Sequence, residues 1–147
     1  MRRVSYIVGA RDFSTLQAEH IMQDVVSYHH VDLSGDKLAG AMRNGGFGSV
    51  PILEKDHKVI GIVSEYDLLK AIMEGKELAK VTAREIMTKN PITVNQDTPV
   101  TEIMCLLQEK HLIRIPAVND QGKLVGVVSR RDIIEGYLRV SKPIETF

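Results

Sequence analysis

The sequence predicts an α+β fold made of two tandem β-α-β-β-α repeats. Three observations predict it. The stretch "GIVSEYDLL" beginning at Gly61 returns 65 residues later as "GVVSRRDII" beginning at Gly126. The same offset joins Pro51 to Pro116 and Met22 to Met87. Between these markers, strand-like runs and helix-like periodicities alternate in one order in both halves.

The second half reads more cleanly. "ITV" after Pro91 is a short strand, because proline excludes helix and β-branched residues follow. Pro99 suits a first helical turn, and Ile103, Leu106, Leu107 and Lys110 continue at helical spacing. "IRIPAV" and "LVGVV" are strands joined by "NDQG", whose residues supply turn chemistry and positive φ. A helix over 130–138 places Ile133, Ile134, Tyr137 and Leu138 on one face. The first half repeats the order: a strand within 25–31, a helix over 36–43, strands at "VPIL" and "VIGIV" around "EKDH", and a helix over 65–73. "EGKELAKVTA" reads as a linker with some helical character. The expected organisation is therefore an N-terminal segment 1–15, a repeat 16–76, a linker 77–81, a repeat 82–141 and a tail 142–147. Each repeat leaves one sheet face to be covered, and a unit of about 60 residues buries too little surface alone, so the repeats are expected to pack together.

Bulk properties exclude several function classes. Apolar residues are 44% and charged residues 26% of the 147, ordinary for a globular chain. Lysine plus arginine total 19, as do aspartate plus glutamate, so no basic field points to nucleic acid or a membrane surface. No apolar run approaches the roughly 18 residues of a membrane span, and "MRRVSYIVGARD" breaks too early for a signal peptide. The one cysteine, Cys105, permits no intrachain disulfide, fits a cytoplasmic location, and reads as a small core filler on a helix. His29 and His30 point to opposite faces of a strand, and with His20, His57 and His111 they show no metal-binding spacing. No nucleophile, base and orienting acid can be placed together, so no enzyme activity and no required cofactor is expected. "RNGGFGSVP" lacks phosphate-loop order and ends a helix at Arg43, with Asn44 or Gly45 as its left-handed cap.

Chemistry concentrates where strand gives way to helix. Ser129 falls at the N-cap with Asp132 three residues on, and two readings of that pair stand side by side. In one, the pair is a capping box in which each side chain satisfies a free backbone N–H. In the other, the helix start is an anion site, and Arg130 and Arg131 sit against the helix dipole because an anion is to arrive. A charge-assisted hydrogen bond to phosphate contributes about 1.5–3 kcal/mol, more than the several tenths lost to the dipole. Asp132 would repel phosphate but accept from ribose hydroxyls. Arg114 adds a cation from the neighbouring strand entry, or is a surface arginine. In the first repeat Ser64 and Asp67 keep their places, while Glu65, Tyr66 and Ser49 replace the arginines. A carboxylate about 5 Å from phosphate costs roughly 3 kcal/mol at an effective dielectric of 20, about a hundredfold in binding. The second repeat should hold the better pocket.

On "REIMTKNPITV", "HLIRIPAVNDQGKLVGVVSRRD" and "SVPILEKDHKVIGIVSEYD", the chain resembles a tandem pair of cystathionine β-synthase (CBS) domains, a Bateman module, from about Leu16 onward. The resemblance implies pseudo-twofold packing and clefts for an adenosine-containing ligand: AMP, ADP, ATP or S-adenosylmethionine. It implies that Asp132 and Asp67 bind ribose, and that Ser129 and Ser64 lie near phosphate. Thr88, Asn90 and Ile92 would line the base, with Ile115, Pro116 and Ala117, and in the other repeat Val50, Pro51 and Ile52. Arg114 takes the place of a phosphate-contacting arginine. "DVVSYHHVDLSG" departs from the pattern by lacking the proline and threonine of "NPITV". The resemblance further implies a homodimer that signals to a partner protein. The competing expectation is a constitutive dimeric scaffold with vestigial clefts.

Overall fold

A computed structural model of the chain describes residues 12–24 and 27–141. The N-terminal segment up to residue 11, Val25 and Val26 of the first expected strand, and the tail 142–147 lie outside it. After a 3₁₀ turn at Phe13–Thr15 the elements run α1 (Ala18–Ile21), β1 (His29–His30), α2 (Gly35–Gly45), β2 (Ser49–Leu53), β3 (Val59–Ser64) and α3 (Glu65–Met73). They continue through a 3₁₀ turn at Leu78–Lys80, α4 (Ala83–Ile86), β4 (Thr88–Lys89), β5 (Val94–Asn95), α5 (Val100–Glu109), β6 (Arg114–Val118), β7 (Leu124–Ser129) and α6 (Arg130–Ser141). The fold is α+β with two sheets, ordered β1-β2-β3-β4 and β5-β6-β7. No helix among the described residues is long and apolar enough to cross a membrane.

The repeat is legible in the register. β1 pairs parallel with β2 and β5 with β6, and both hairpins are antiparallel. Ser49 faces Ser64 as Arg114 faces Ser129, and Ile52 faces Gly61 as Ala117 faces Gly126. A bulge follows at Ile52/Leu53 and again at Ala117/Val118. Both hairpins turn through a positive φ, at Gly122 (79°) and at His57 (73°). Equivalent backbones thus form from different residues, because alternating burial and turn position set the register and the side chains have only to fit it.

Two compact units result, and they cut the chain differently from the repeats. One joins the described residues up to Asp24 to those from Ile92 onward; the other is Ser27–Pro91. The opening of each repeat joins the unit built mainly from the other. Leu16, Ala18, Ile21 and Met22 lie in the core with Val100, Ile103, Ile115 and Val128. Ala83, flanked by Ile86 and Met87, lies in the core with Leu38, Val50, Ile52 and Val63. Matching bridges fix both crossings: Gln17 with Pro99, and Ser34 with Thr82. The 65-residue partners Met22 and Met87 explain the repeated glycines. A Cβ on Gly126 would lie 2.6 Å from the Met22 sulfur and 2.8 Å from the Gln23 carbonyl, and one on Gly61 would overlap the Met87 sulfur. A side chain at either glycine would push the crossing segment off the sheet.

Several helical expectations are corrected. α2 continues through Gly45, and Gly46 is its left-handed cap at φ 71°. Pro99 is the N-cap of α5 rather than its first residue. Cys105 is exposed, because α5 turns Val100, Ile103 and Leu107 inward and Cys105 falls between those rows. On α6 only Ile133 of the four apolar residues is buried. Ile134, Tyr137 and Leu138 are 59%, 53% and 48% exposed.

Candidate functional site

In the unit holding Ile92 onward, the site forms where β7 ends and α6 begins. Ser129 donates through its backbone N–H (2.8 Å) and its hydroxyl (2.9 Å) to Oδ2 of Asp132, and the Asp132 N–H donates to the Ser129 Oγ at 3.1 Å. This is the reciprocal capping box. It also draws the carboxylate inward, to 1% exposure. Arg114 lies directly across the strand pair from Ser129. Burial lowers the Arg114 pKa, and the Asp132 carboxylate offsets part of that effect. A buried carboxylate and a partly buried guanidinium therefore stand near each other at the end of the β6–β7 pair, and the carboxylate lowers the cost of keeping the guanidinium charged. Ile115, Pro116 and Ala117 run from Arg114 into the sheet and are buried.

The unit Ser27–Pro91 repeats this device with other partners. Ser64 donates to Asp67 Oδ2 from its N–H (2.8 Å) and hydroxyl (3.1 Å), and the Asp67 N–H donates back at 3.3 Å. The position of Arg114 is held by Ser49, across from Ser64. Here the Thr88 hydroxyl donates to Asp67, at 3.2 Å to Oδ1 and 3.4 Å to Oδ2. Asp67 and Thr88 line a cavity of about 300 Å³ with Lys70, Lys76, Glu74 and Glu85. Val50, Pro51 and Ile52 are buried behind it on β2. Glu65 packs over Gly48, placing an anion at the helix start.

The structure therefore divides the expected residues differently from their order along the chain. Thr88 sits against Asp67, not against Asp132, because β4 pairs with β3. Asn90 adopts φ 50° beyond β4, and Ile92 packs against the core of the other unit. Beside Asp132's sheet, the position of Thr88 is taken by Gln23, which exchanges both backbone hydrogen bonds with Val127 (2.9 and 3.0 Å). Gln23 is the residue sequence reasoning missed. The 65-residue offset already seen for Met22 and Met87 marks it once applied to Thr88. Arg130 also departs from expectation. Its N–H donates to the Ile113 carbonyl, and its side chain borders a groove of about 460 Å³ between α5 and α6, with Leu107, His111, Ile133 and Ile134. Arg131 is exposed.

The CBS domain model matches residues 18–74 and again 83–139. This chain belongs to the CBS-domain family. Among curated relatives it is 41% identical over 100 residues to an uncharacterized protein of Methanopyrus kandleri, covering 67% of this chain and 51% of that protein. It is 30% identical over 104 residues to the L-aspartate semialdehyde sulfurtransferase of Methanocaldococcus jannaschii, covering 71% of this chain and 20% of the enzyme. The chain thus spans about half or less of the length of these two relatives. Among solved structures, a CBS domain pair in complex with 5′-methylthioadenosine and S-adenosylmethionine superposes with a TM-score of 0.73 at 26% identity, covering 82% of this chain and 94% of that one. A CBS-pair protein of Arabidopsis thaliana, solved with AMP, shares the fold at TM-score 0.76 and 22% identity, covering 86% and 98%.

Proposed function

We propose that this CBS pair is a regulatory sensor, not an enzyme, which binds an adenosine-containing ligand and reports its presence to a partner protein. The observation that carries the reading is the buried Asp132 carboxylate held beside Arg114 at the start of α6. A carboxylate there accepts ribose hydroxyls, and a guanidinium one strand away takes up phosphate or a comparable anion. The solved pair bound to methylthioadenosine and S-adenosylmethionine supports the same ligand class. Within that class the cation favours a phosphorylated adenylate such as AMP, ADP or ATP in the Arg114 unit. Asp67, with Ser49 and Glu65 around it, suits a ligand without phosphate. Occupancy signals only if the ligand binds two conformations unequally, and a second protein must read the difference. The chain is expected to act in the cytoplasm as a homodimer.

Titration calorimetry of AMP, ADP, ATP, NAD and S-adenosylmethionine into ligand-stripped protein tests this reading. At least one should bind, and Asp132→Ala should abolish that binding. Unchanged binding in Asp132→Ala and Arg114→Ala would remove the site assignment. A second reading, a constitutive scaffold, is favoured by the exposed apolar residues of α3 and α6. Melting separates the two, since a ligand at 100 times its Kd adds about 2.7 kcal/mol of stability and a scaffold gains nothing.

A further inference from the structure

Two side chains of the unit built mainly from Ile92 onward hold positions that local stability alone would give to other residues. His111, just past α5, has φ 52°, in the left-handed region that a residue with a Cβ enters at a cost; 65 residues earlier stands Gly46, at φ 71°. Arg130 is the first residue of α6, where the helix dipole disfavours a cation, and the equivalent first residue of α3 is Glu65. Both side chains line the groove of about 460 Å³ between α5 and α6. Neither has an ion pair or a side-chain hydrogen bond among the described residues. The rest of the lining is apolar apart from Gln108, and its buried side, Leu107 and Ile133, belongs to the core. The first repeat does not copy this lining. Ala39 stands there in place of Met104, and Phe47, whose ring covers Gly45, in place of Leu112.

The polar groups gather at one end. The Arg130 N–H donates to the Ile113 carbonyl at 3.0 Å, so the start of α6 lies beside the segment that follows His111. From His111 the groove runs back along α5 to Met104, a distance of about 10 Å at the helical rise. An apolar trough with a guanidinium and an imidazole at one end matches a molecule with an aliphatic body and one anionic head. We propose that this groove binds a medium-chain aliphatic carboxylate, its chain along Leu107 and Ile133 toward Met104 and its head at Arg130 and His111. The planar guanidinium offers a carboxylate two parallel N–H donors, and the arriving charge offsets the unfavourable placement of a cation at the helix start. The site is separate from the adenosine site. Asp132, two residues on, turns its carboxylate back to Ser129, while Arg130 borders the groove.

Methyl-labelled NMR of the full chain, titrated with octanoate and with its neutral counterpart 1-octanol, tests the site. Octanoate should shift the methyl signals of Leu107, Ile133 and Met104 saturably, and octanol should bind roughly tenfold or more weakly because it cannot make the charge-assisted hydrogen bonds. Arg130→Glu should weaken octanoate by roughly tenfold or more while octanol changes by less than about threefold. Glutamate at this position suits the helix dipole, so that loss does not come from a failed fold. His111→Gly, which copies Gly46, should melt at least as high as the wild type and yet weaken octanoate by about threefold or more, a pairing of effects that a purely structural histidine would not give. Octanol binding as tightly as octanoate, or octanoate binding unchanged in Arg130→Glu, would overturn the proposal. So would groove signals that ignore octanoate, and signals that follow protein concentration instead would assign the groove to a second copy of the chain.

Discussion

Asp132 and Asp67 sit at repeat-equivalent positions, cap their helices through the same three hydrogen bonds, and follow strand pairs in the same register. Their remaining partners differ. Asp132 is 1% exposed with the charge of Arg114 beside it, whereas Asp67 is partly open and takes a hydroxyl from Thr88. One motif sets a buried carboxylate near a partly buried cation in one unit and a more open hydrogen-bond cluster in the other. The serine–aspartate spacing therefore specifies the cap, and the residue across the strand specifies what the cap can bind.

Removing the carboxylates gives the largest contrast. Asp132→Ala strands a partly buried guanidinium and removes the cap, and should cost about 3 kcal/mol or more. Asp67→Ala loses a cap and hydroxyl contacts in a wetter place and should cost about 1 kcal/mol. Urea unfolding of the two variants checks this. Equal losses would mean that the Arg114 charge is already compensated elsewhere.

Substituting across the strand sharpens the comparison in binding. Arg114→Ser copies the residue at the equivalent position 49. It should weaken AMP by about tenfold to a hundredfold, the value of one charge-assisted hydrogen bond, while adenosine changes by less than about threefold. Calorimetry with the two ligands reads the ratio. Equal losses for both would show that Arg114 shapes the cleft and does not read the anion.

The glycines differ in what lies over them. A Cβ on Gly126 meets the backbone carbonyl of Gln23 as well as Met22, whereas the three atoms nearest a Cβ on Gly61 all belong to the Met87 side chain. Methionine yields and a bridged backbone does not, so Gly126→Ala should cost about 2 kcal/mol and Gly61→Ala about 1 kcal/mol. Thermal melts rank the two, and adding Met87→Ala should relieve much of the strain at Gly61 while Met22→Ala relieves little at Gly126.

What the sequence disclosed, and what it hid, follows from the same contacts. The hairpins and α3 were legible because alternation, turn residues and an N-cap are local signals, and the 65-residue offset located both capping boxes. The exchange of Leu16–Gln23 and Val81–Thr88 between units was not. No local pattern states which sheet edge a segment joins, and four-residue helices such as α1 and α4 are too short to show a period. Hence Thr88 lies with Asp67, and Gln23 takes the matching place beside Val127. The apolar stripe of α6 has good helical periodicity, but periodicity cannot tell a face turned to the core from a face left for another molecule.

The smallest expected effect concerns β1 and β5. Val94 is buried at 4% exposure, and its repeat equivalent is His29, whose Nε2 is buried without a hydrogen-bond partner among the described residues. Burial, and secondarily repulsion from His30, hold the His29 pKa below its ordinary value of 6.5. In the window between the lowered and the ordinary value the unfolded chain binds more protons than the folded one, so stability falls with acidification. It is fully present above pH 6.5 and is lost as pH falls through the folded value. Melting temperature should therefore drop between about pH 7.5 and pH 5, and His29→Val, which installs the residue of the other unit, should flatten that part of the profile. A profile unchanged by the substitution would show that His29 does not carry the acid sensitivity.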